Sequence, residues 1–132
     1  MSSEIIFKRY EKAAKQGDAD AQCNLGWCYR HGTGAEKDEQ KAVEWYQKAA
    51  EQGFASAQYN LGYCYANGTG VEKGKQKAVE WYQKAAEQGY ANAQCNLATC
   101  YYYGTGVEKD EQKAVEWYQK AAEQGNWMQN II

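Results

Sequence analysis

The chain has 132 residues, 44% of them apolar, which is the length and apolar content of one globular domain. Its 15 basic and 17 acidic residues leave a net charge of −2, too small to attract a nucleic acid or an anionic membrane. It contains no proline, so no ring clash interrupts a helix. We therefore expect neither a nucleic acid nor a membrane as a partner.

The N-terminus and the cysteines predict a cytoplasmic location. Residues 1–8 have no long apolar stretch and no small-residue cleavage site, so they do not form a signal peptide, although one already removed would leave no trace. The five cysteines, an odd number, argue against a complete disulfide framework. Within the pairs Cys23/Cys28 and Cys95/Cys100, the side chains point apart on a helix and miss disulfide geometry.

A repeat of 36 residues organises the chain. Tryptophan recurs at residues 45, 81 and 117, and the segment QKAVEWYQKAAEQG occurs unchanged from residues 40, 76 and 112. Residues 10–17 match the end of the same unit, with Arg9 in the place of the tryptophan. The predicted single domain, 1–132, therefore divides into a half repeat at 1–16, full repeats at 17–52, 53–88 and 89–124, and a tail at 125–132.

Each full repeat predicts two helices, called A and B in chain order. Helix A is expected over 19–31, 55–67 and 91–103, where apolar residues recur at i, i+4, i+7 and i+8. Helix B is expected over 39–52, 75–88 and 111–124, with an apolar stripe that includes the tryptophan. Glycines follow each helix, as is typical of C-terminal caps.

Neither helix of a pair can bury its apolar stripe alone, so the pairs must stack into a solenoid. Small residues recur at one position of helix A, namely Gly26, Gly62 and Ala98. We expect them to let neighbouring helices approach closely. The tryptophans of helix B are expected to supply most of the packing, because each can bury ~150–250 Å².

The repeat resembles the Sel-one-like repeat family, relatives of the tetratricopeptide repeats. The resemblance rests on Ala-x-Ala-Gln-x-Asn-Leu-Gly at 55–62, Gly-Thr-Gly-Val at 68–71 and the segment from Lys77 to Gly89, and it covers residues 10–125. It implies an all-α, right-handed superhelical solenoid of antiparallel helix pairs whose A helices line a concave groove. It also implies an adaptor role without intrinsic catalysis. A secreted branch staples its helix pairs with cysteines, which the B helices here lack.

Most differences among the three copies fall on one stripe of helix A, at i, i+3, i+7, i+10 and i+11. In relatives of this fold the matching stripe faces the groove. Aromatic residues and arginine dominate binding hot spots, and asparagines beside the stripe can hydrogen-bond an extended peptide. We therefore predict that the groove binds a protein or peptide segment. The candidate partner-binding residues are Asp20, Cys23, Asn24, Trp27, Arg30, His31, Tyr59, Asn60, Tyr63, Asn67, Asn96, Thr99, Tyr102 and Tyr103.

Other interpretations stay open. The differences among the copies can simply reflect solvent-facing positions that tolerate substitution. The asparagines can hydrogen-bond the backbone of the scaffold instead of a peptide. The identical B helices also fit a structural or consensus-designed scaffold with no natural ligand.

Catalysis is disfavoured because His31 has no nucleophile placed beside it, and the Gly-Thr-Gly segments lack the lysine of a phosphate loop. The cysteine spacings do not match zinc sites, so we predict no metal and no cofactor.

The last seven residues depart from the repeat. Their apolar side chains predict a cap over the core of the last repeat. A second interpretation is that the tail docks into the groove of another copy and gives a homo-oligomer. The residues concerned are Trp127, Met128, Ile131 and Ile132.

Overall fold

The computed structural model describes residues 1–125, which form an all-α solenoid with no strand in that range. The predicted fold class is therefore confirmed. None of its helices is long and apolar enough to cross a bilayer. The seven described helices, each of 13 residues, are α1 (Ser3–Lys15), α2 (Ala19–His31), α3 (Glu39–Glu51), α4 (Ala55–Asn67), α5 (Lys75–Glu87), α6 (Ala91–Tyr103) and α7 (Glu111–Glu123). Each packs mainly against its neighbours in the chain.

The A helices α2, α4 and α6 have the bounds that the sequence predicts, whereas the B helices α3, α5 and α7 end one residue earlier. After α3, the predicted last helical residue, Gln52, lies in a tight turn instead. Its amide donates to the carbonyl of Ala49, three residues back, at 3.1 Å. Each A helix ends at a left-handed glycine, such as Gly68 with φ +69°. The Gly-Thr-Gly segments are thus helix ends and turns.

The tyrosine beside each B-helix tryptophan, and not the tryptophan itself, fills the centre of the stack. Tyr46 is 0% exposed and Tyr82 is also buried, whereas Trp45 is half-buried. The exposed Lys48 ammonium lies 4.9 Å from the centroid of the Trp45 ring. The indole therefore lies at the edge of the core, next to solvent. The expectation that the tryptophans supply most of the packing was wrong.

Glycine in helix A makes room for these tyrosines. A Cβ atom at Gly26 would lie 2.8 Å from Cδ1 of Tyr46, and one at Gly62 would lie 2.9 Å from Cδ1 of Tyr82. Both distances are below van der Waals contact, so a larger residue would push the tyrosine out of the core. The predicted close approach of helices at these two positions is confirmed.

A ladder of glutamines, which the sequence analysis missed, joins successive repeats. Gln58 is only 5% exposed, yet its Nε2 donates to the carbonyl of Ala50 at 3.2 Å and its Oε1 accepts from Gln88 at 2.8 Å. The Nε2 of Gln88 also donates to the carbonyl of Gly53 at 2.8 Å. Gln22 and Gln94 repeat the same bonds in the other units. The ladder pairs polar groups that burial would otherwise leave unsatisfied.

Candidate functional site

The candidate site is the face of α2, α4 and α6 that carries the variable stripe, called here the A face. Three of its aromatic side chains are well exposed, with Trp27 48%, Tyr102 44% and Tyr103 70% accessible. Large exposed apolar side chains grouped on a face are typical of contact surfaces. The other exposed candidates are Asp20, His31, Asn67 and Thr99, and the half-buried ones are Asn24, Arg30, Tyr59, Asn60, Tyr63 and Asn96.

Cys23 does not belong to this surface, contrary to the prediction. It is only 6% exposed and joins the core cluster that contains Tyr46. Its Sγ lies 3.8 Å from Oγ of Ser56 and 3.9 Å from Nδ2 of Asn60, so it connects α2 to α4. Burial raises the pKa of the Cys23 thiol. The stripe borders the core on this side of the helix, and spacing alone did not separate the two.

Tyr59 lies in the wall beneath the A face and is not an exposed member of the aromatic row. Its ring centroid is 6.0 Å from that of Tyr82 and 5.4 Å from that of Tyr90. Burial raises the pKa of Tyr59, and a hydrogen bond from Asn96 partly opposes the rise. Burial raises the pKa of Tyr82 as well, and the nearby Asn96 side chain again partly opposes the rise. Tyr59 and Asn96 therefore support the surface from below.

The asparagines of the A face are engaged with the scaffold. Nδ2 of Asn24 donates to Oδ1 of Asp20 at 3.2 Å, and Nδ2 of Asn60 donates to the carbonyl of Ser56 at 2.9 Å. Nδ2 of Asn67 donates to the carbonyl of Tyr63 at 3.0 Å. Their side-chain orientation is fixed by these local bonds. These bonds agree with the alternative interpretation of the sequence, in which the asparagines stabilise the scaffold and do not contact a peptide.

Arg30 is held between two helices by aromatic side chains. Its guanidinium carbon lies 4.7 Å from the centroid of the Tyr63 ring, so α2 reaches over α4 at this point. The guanidinium also lies beside the hydroxyl of Tyr46, where burial raises the tyrosine pKa and the positive charge partly opposes the rise. The Tyr46 hydroxyl is buried without a geometrically sound hydrogen bond. The sequence analysis did not single out Tyr46, because its place in the apolar stripe of helix B indicates only a core residue.

This cluster is rich in donors and has no anionic partner. Arg30 carries five N–H donors. In the part of the chain that the structure describes, none of the ion pairs includes Arg30. The buried hydroxyl of the cluster, that of Tyr46, lies beside the guanidinium. The arrangement is therefore suited to receive an acceptor from outside the chain.

His31 stacks on Trp27 at the end of α2. The ring centroids lie 4.4 Å apart, and burial, with Arg30 and Lys37 nearby, lowers the pKa of His31. The neutral imidazole is therefore the main form at pH 7. Within residues 1–125, no group of three or more His, Cys, Asp or Glu side chains is placed to hold a metal ion. The chemistry present on this face is stacking and hydrogen-bond donation.

Thr99 has a different role in the last repeat. Its Oγ1 lies 2.7 Å from the hydroxyl of Tyr118 and 3.0 Å from the carbonyl of Cys95. Tyr118, the counterpart of the buried Tyr46 and Tyr82, is half-buried. Ala98 stands here in place of the glycine of the earlier repeats. The predicted tail residues, Trp127, Met128, Ile131 and Ile132, lie outside the described residues.

Stacked helix pairs with a 36-residue unit and one aromatic-bearing face define an α-solenoid repeat protein. The family model of the Sel1 repeat matches residues 10–18, 19–54, 55–90 and 91–126. The chain therefore belongs to the Sel1 repeat family, whose members are generally helical-repeat modules for protein–protein interaction. The matched units begin at the first residue of each A helix, two residues after the starts that our division uses.

Solved structures with the same fold come from several bacteria. A Sel1 repeat protein from Oxalobacter formigenes is 43% identical with a TM-score of 0.89, over 95% of this chain and 51% of that one. A protective antigen, c5321, of uropathogenic Escherichia coli is 42% identical with a TM-score of 0.88, over 91% and 26%. Cysteine rich protein B of Helicobacter pylori is 28% identical with a TM-score of 0.76, over 96% and 97%.

The chain thus spans about half of the Oxalobacter protein and about a quarter of the Escherichia antigen. A search of curated protein sequences gave no match.

Proposed function

We propose that the chain is an adaptor module that binds an extended segment of a partner protein along the A face, which forms the concave groove of the solenoid. The observation that carries the proposal is the exposure of Trp27, Tyr102 and Tyr103 on the first and third A helices, with Arg30 stacked on Tyr63 between them. Membership of a family of interaction modules supports the same class of function. On this proposal the chain holds a partner and does not transform it.

The geometry favours an extended segment over a small molecule. The exposed aromatics belong to helices α2 and α6, and α4 lies between them with its half-buried Tyr63. Adjacent helices pack ~8–10 Å apart, so a ligand that touches all three must span roughly 20 Å. A peptide of about six extended residues has that length. Aromatic side chains provide stacking area at low conformational cost, as they do in other binding surfaces.

The test is a selection from a random peptide library, with the intact chain as bait. Selected peptides are synthesised, and their affinities are measured by calorimetry for the intact chain and for a Trp27→Ala/Tyr63→Ala/Tyr103→Ala variant. We expect the variant to lose at least tenfold in affinity, about 1.4 kcal/mol, while circular dichroism shows unchanged helicity.

The matched control is an Ile5→Ala/Val115→Ala variant, because these residues are exposed and apolar but lie on α1 and α7. It should bind the selected peptides as the intact chain does. Equal binding by the A-face variant, or loss of binding by the control variant alone, would refute the proposed site.

A further inference from the structure

We propose that the A face carries a carboxylate-recognition site at Arg30, which selects partner segments with an aspartate or glutamate side chain at that position. This inference rests on the proposed function and adds the chemistry of the ligand. The guanidinium stacked on Tyr63, the buried Tyr46 hydroxyl beside it and the absence of a described anionic partner carry the argument.

The guanidinium is already oriented for binding. Stacking on the Tyr63 ring fixes the guanidinium while its N–H groups remain at its edge. Those groups match two carboxylate oxygens in a fork geometry. Because Arg30 is held by a second helix, less side-chain entropy is lost when a ligand binds. An arginine free in solvent would not have this advantage.

The Tyr46 hydroxyl is a second sign of a missing acceptor. It belongs to a side chain that is 0% exposed, and it is the one buried side-chain polar atom in residues 1–125 without a hydrogen bond. Buried polar groups are nearly always paired. The arginine beside it offers only donors, so the proton of the hydroxyl still lacks an acceptor. Because this hydroxyl is buried, the direct partner of a bound carboxylate is the Arg30 guanidinium, which lies between the hydroxyl and the A face.

The charge of the A helices points the same way. Helices α4 and α6 contain no charged residue, and Arg30 is the only lysine or arginine in α2. Asp20 is ten residues earlier on α2, roughly 15 Å away along the helix, and accepts from Asn24. Glu39, whose charge opposes the effect of Arg30 on the pKa of Cys64, pairs with Lys37 at 3.8 Å. Arg30 is thus the one positive charge among the lysines and arginines of α2, α4 and α6, far along the helix from Asp20, and its position is complementary to one negative charge of a ligand.

The source of the carboxylate follows from the position of Arg30. Trp27 lies one turn earlier on α2, whereas Tyr102 and Tyr103 lie two helices away on α6. Exposed aromatic surface therefore extends from the Arg30–Tyr63 pair along α2 in one direction and towards α6 in another. A segment that contacts both passes near the pair, and we assign the carboxylate to a side chain within such a segment.

The test uses peptides selected from a library in which the random segment has residues on both sides, synthesised with acetylated N-termini and amidated C-termini. We expect an aspartate or glutamate at one position of the selected sequences. Changing that residue to asparagine or glutamine should weaken binding to the intact chain about tenfold or more. The same change should have little effect on binding to an Arg30→Gln variant, which places the interaction at Arg30.

An Arg30→Lys variant keeps the charge without the fork geometry, and it should recover only part of the affinity. All variants are first checked for helicity and for unchanged thermal unfolding. Peptides that bind the A face equally well with and without the carboxylate would overturn this inference and leave the proposed function standing. Binding only by peptides with a free C-terminal carboxylate, or only by phosphorylated peptides, would also overturn it. If no peptide is selected at all, the proposed function fails as well.

Discussion

At the scale of single residues, Tyr46 shows how the core and the A face depend on each other. Its ring occupies the space that Gly26 leaves on α2, and its hydroxyl ends beside Arg30 with no acceptor for its own proton. A hydroxyl in this position costs free energy of folding unless an acceptor arrives. The fold therefore keeps a buried polar group directly beneath the one arginine of the A face.

Tyr46→Phe should raise the free energy of unfolding by about 1 kcal/mol, because the ring packing stays and the unsatisfied hydroxyl is removed. The measurement is urea unfolding followed by circular dichroism. Tyr82→Phe is the matched control, since Tyr82 fills the same position in the next repeat and its hydroxyl is not among the buried, unpaired polar atoms, and it should not raise stability. A loss of 1 kcal/mol or more in the Tyr46 variant would mean that the hydroxyl is paired.

The buried thiols predict a loss of stability at high pH. Burial raises the pKa of Cys64 to about 11, from an ordinary value of 9.0. The folded state therefore holds the proton more tightly than the unfolded state, and this contribution is complete below pH 9 and is lost as the pH rises towards 11. Urea unfolding at pH 7, 9 and 10.5 should show a fall only above pH 9. The fall should be shallower in a Cys64→Ala variant, and an equal slope would contradict this assignment.

At the scale of helices, the sequence predicted most of the fold because the same apolar spacing and the same glycines recur in three copies. The bounds of α2, α4 and α6 follow from apolar spacing and the glycine that ends each helix. The role of Trp45 was predicted wrongly because size does not reveal which of two adjacent aromatics points inward. The glutamine ladder was missed since its bonds join residues 30 apart, although its recurrence in every copy was a usable signal.

The candidate site was predicted less completely than the fold. Spacing placed Trp27, Tyr102 and Tyr103 on one exposed stripe, and these side chains are exposed. It failed for Cys23 and Tyr59, because a side chain at the edge of a stripe is buried or exposed according to the neighbouring helix, which spacing within one helix does not describe. The Arg30–Tyr63–Tyr46 cluster joins three helices, so no local pattern indicated it.

The start of α5 offers a test of capping. Asp38 and Asp110 cap α3 and α7 by accepting from the amides of Lys41 and Lys113, at 3.1 and 3.0 Å, whereas Gly74 gives α5 no side-chain cap. Gly74 has the same backbone angles as Asp38, and a Cβ there would make only ordinary contacts, the nearest at 3.7 Å from Tyr65.

Gly74→Asp should therefore raise the melting temperature, through a gain of roughly 0.5–1 kcal/mol from the cap and the reduced freedom of the unfolded chain. Differential scanning calorimetry measures it. Asp38→Gly is the reverse control and should lose stability by up to a similar amount. A lower melting temperature in the Gly74 variant would show that the α5 start does not accept the cap.

At the scale of the whole molecule, three stacked units repeat the same face on α2, α4 and α6, and we propose that a partner segment lies along these three helices. The capping or self-association of residues 126–132 stays a prediction. The Oxalobacter and Escherichia proteins extend well beyond the length of this chain. The binding of a segment to the three repeats described here can be measured on this chain directly.

The most direct measurement is a nuclear magnetic resonance titration of the isotope-labelled chain with a selected peptide. Our account predicts chemical-shift changes in the side chains of Trp27, Arg30, Tyr63 and Tyr103, and small changes at α1 and at the outer surfaces of α3, α5 and α7. Changes confined to those outer surfaces or to α1, with the Trp27 indole and the Arg30 guanidinium signals unmoved, would contradict it.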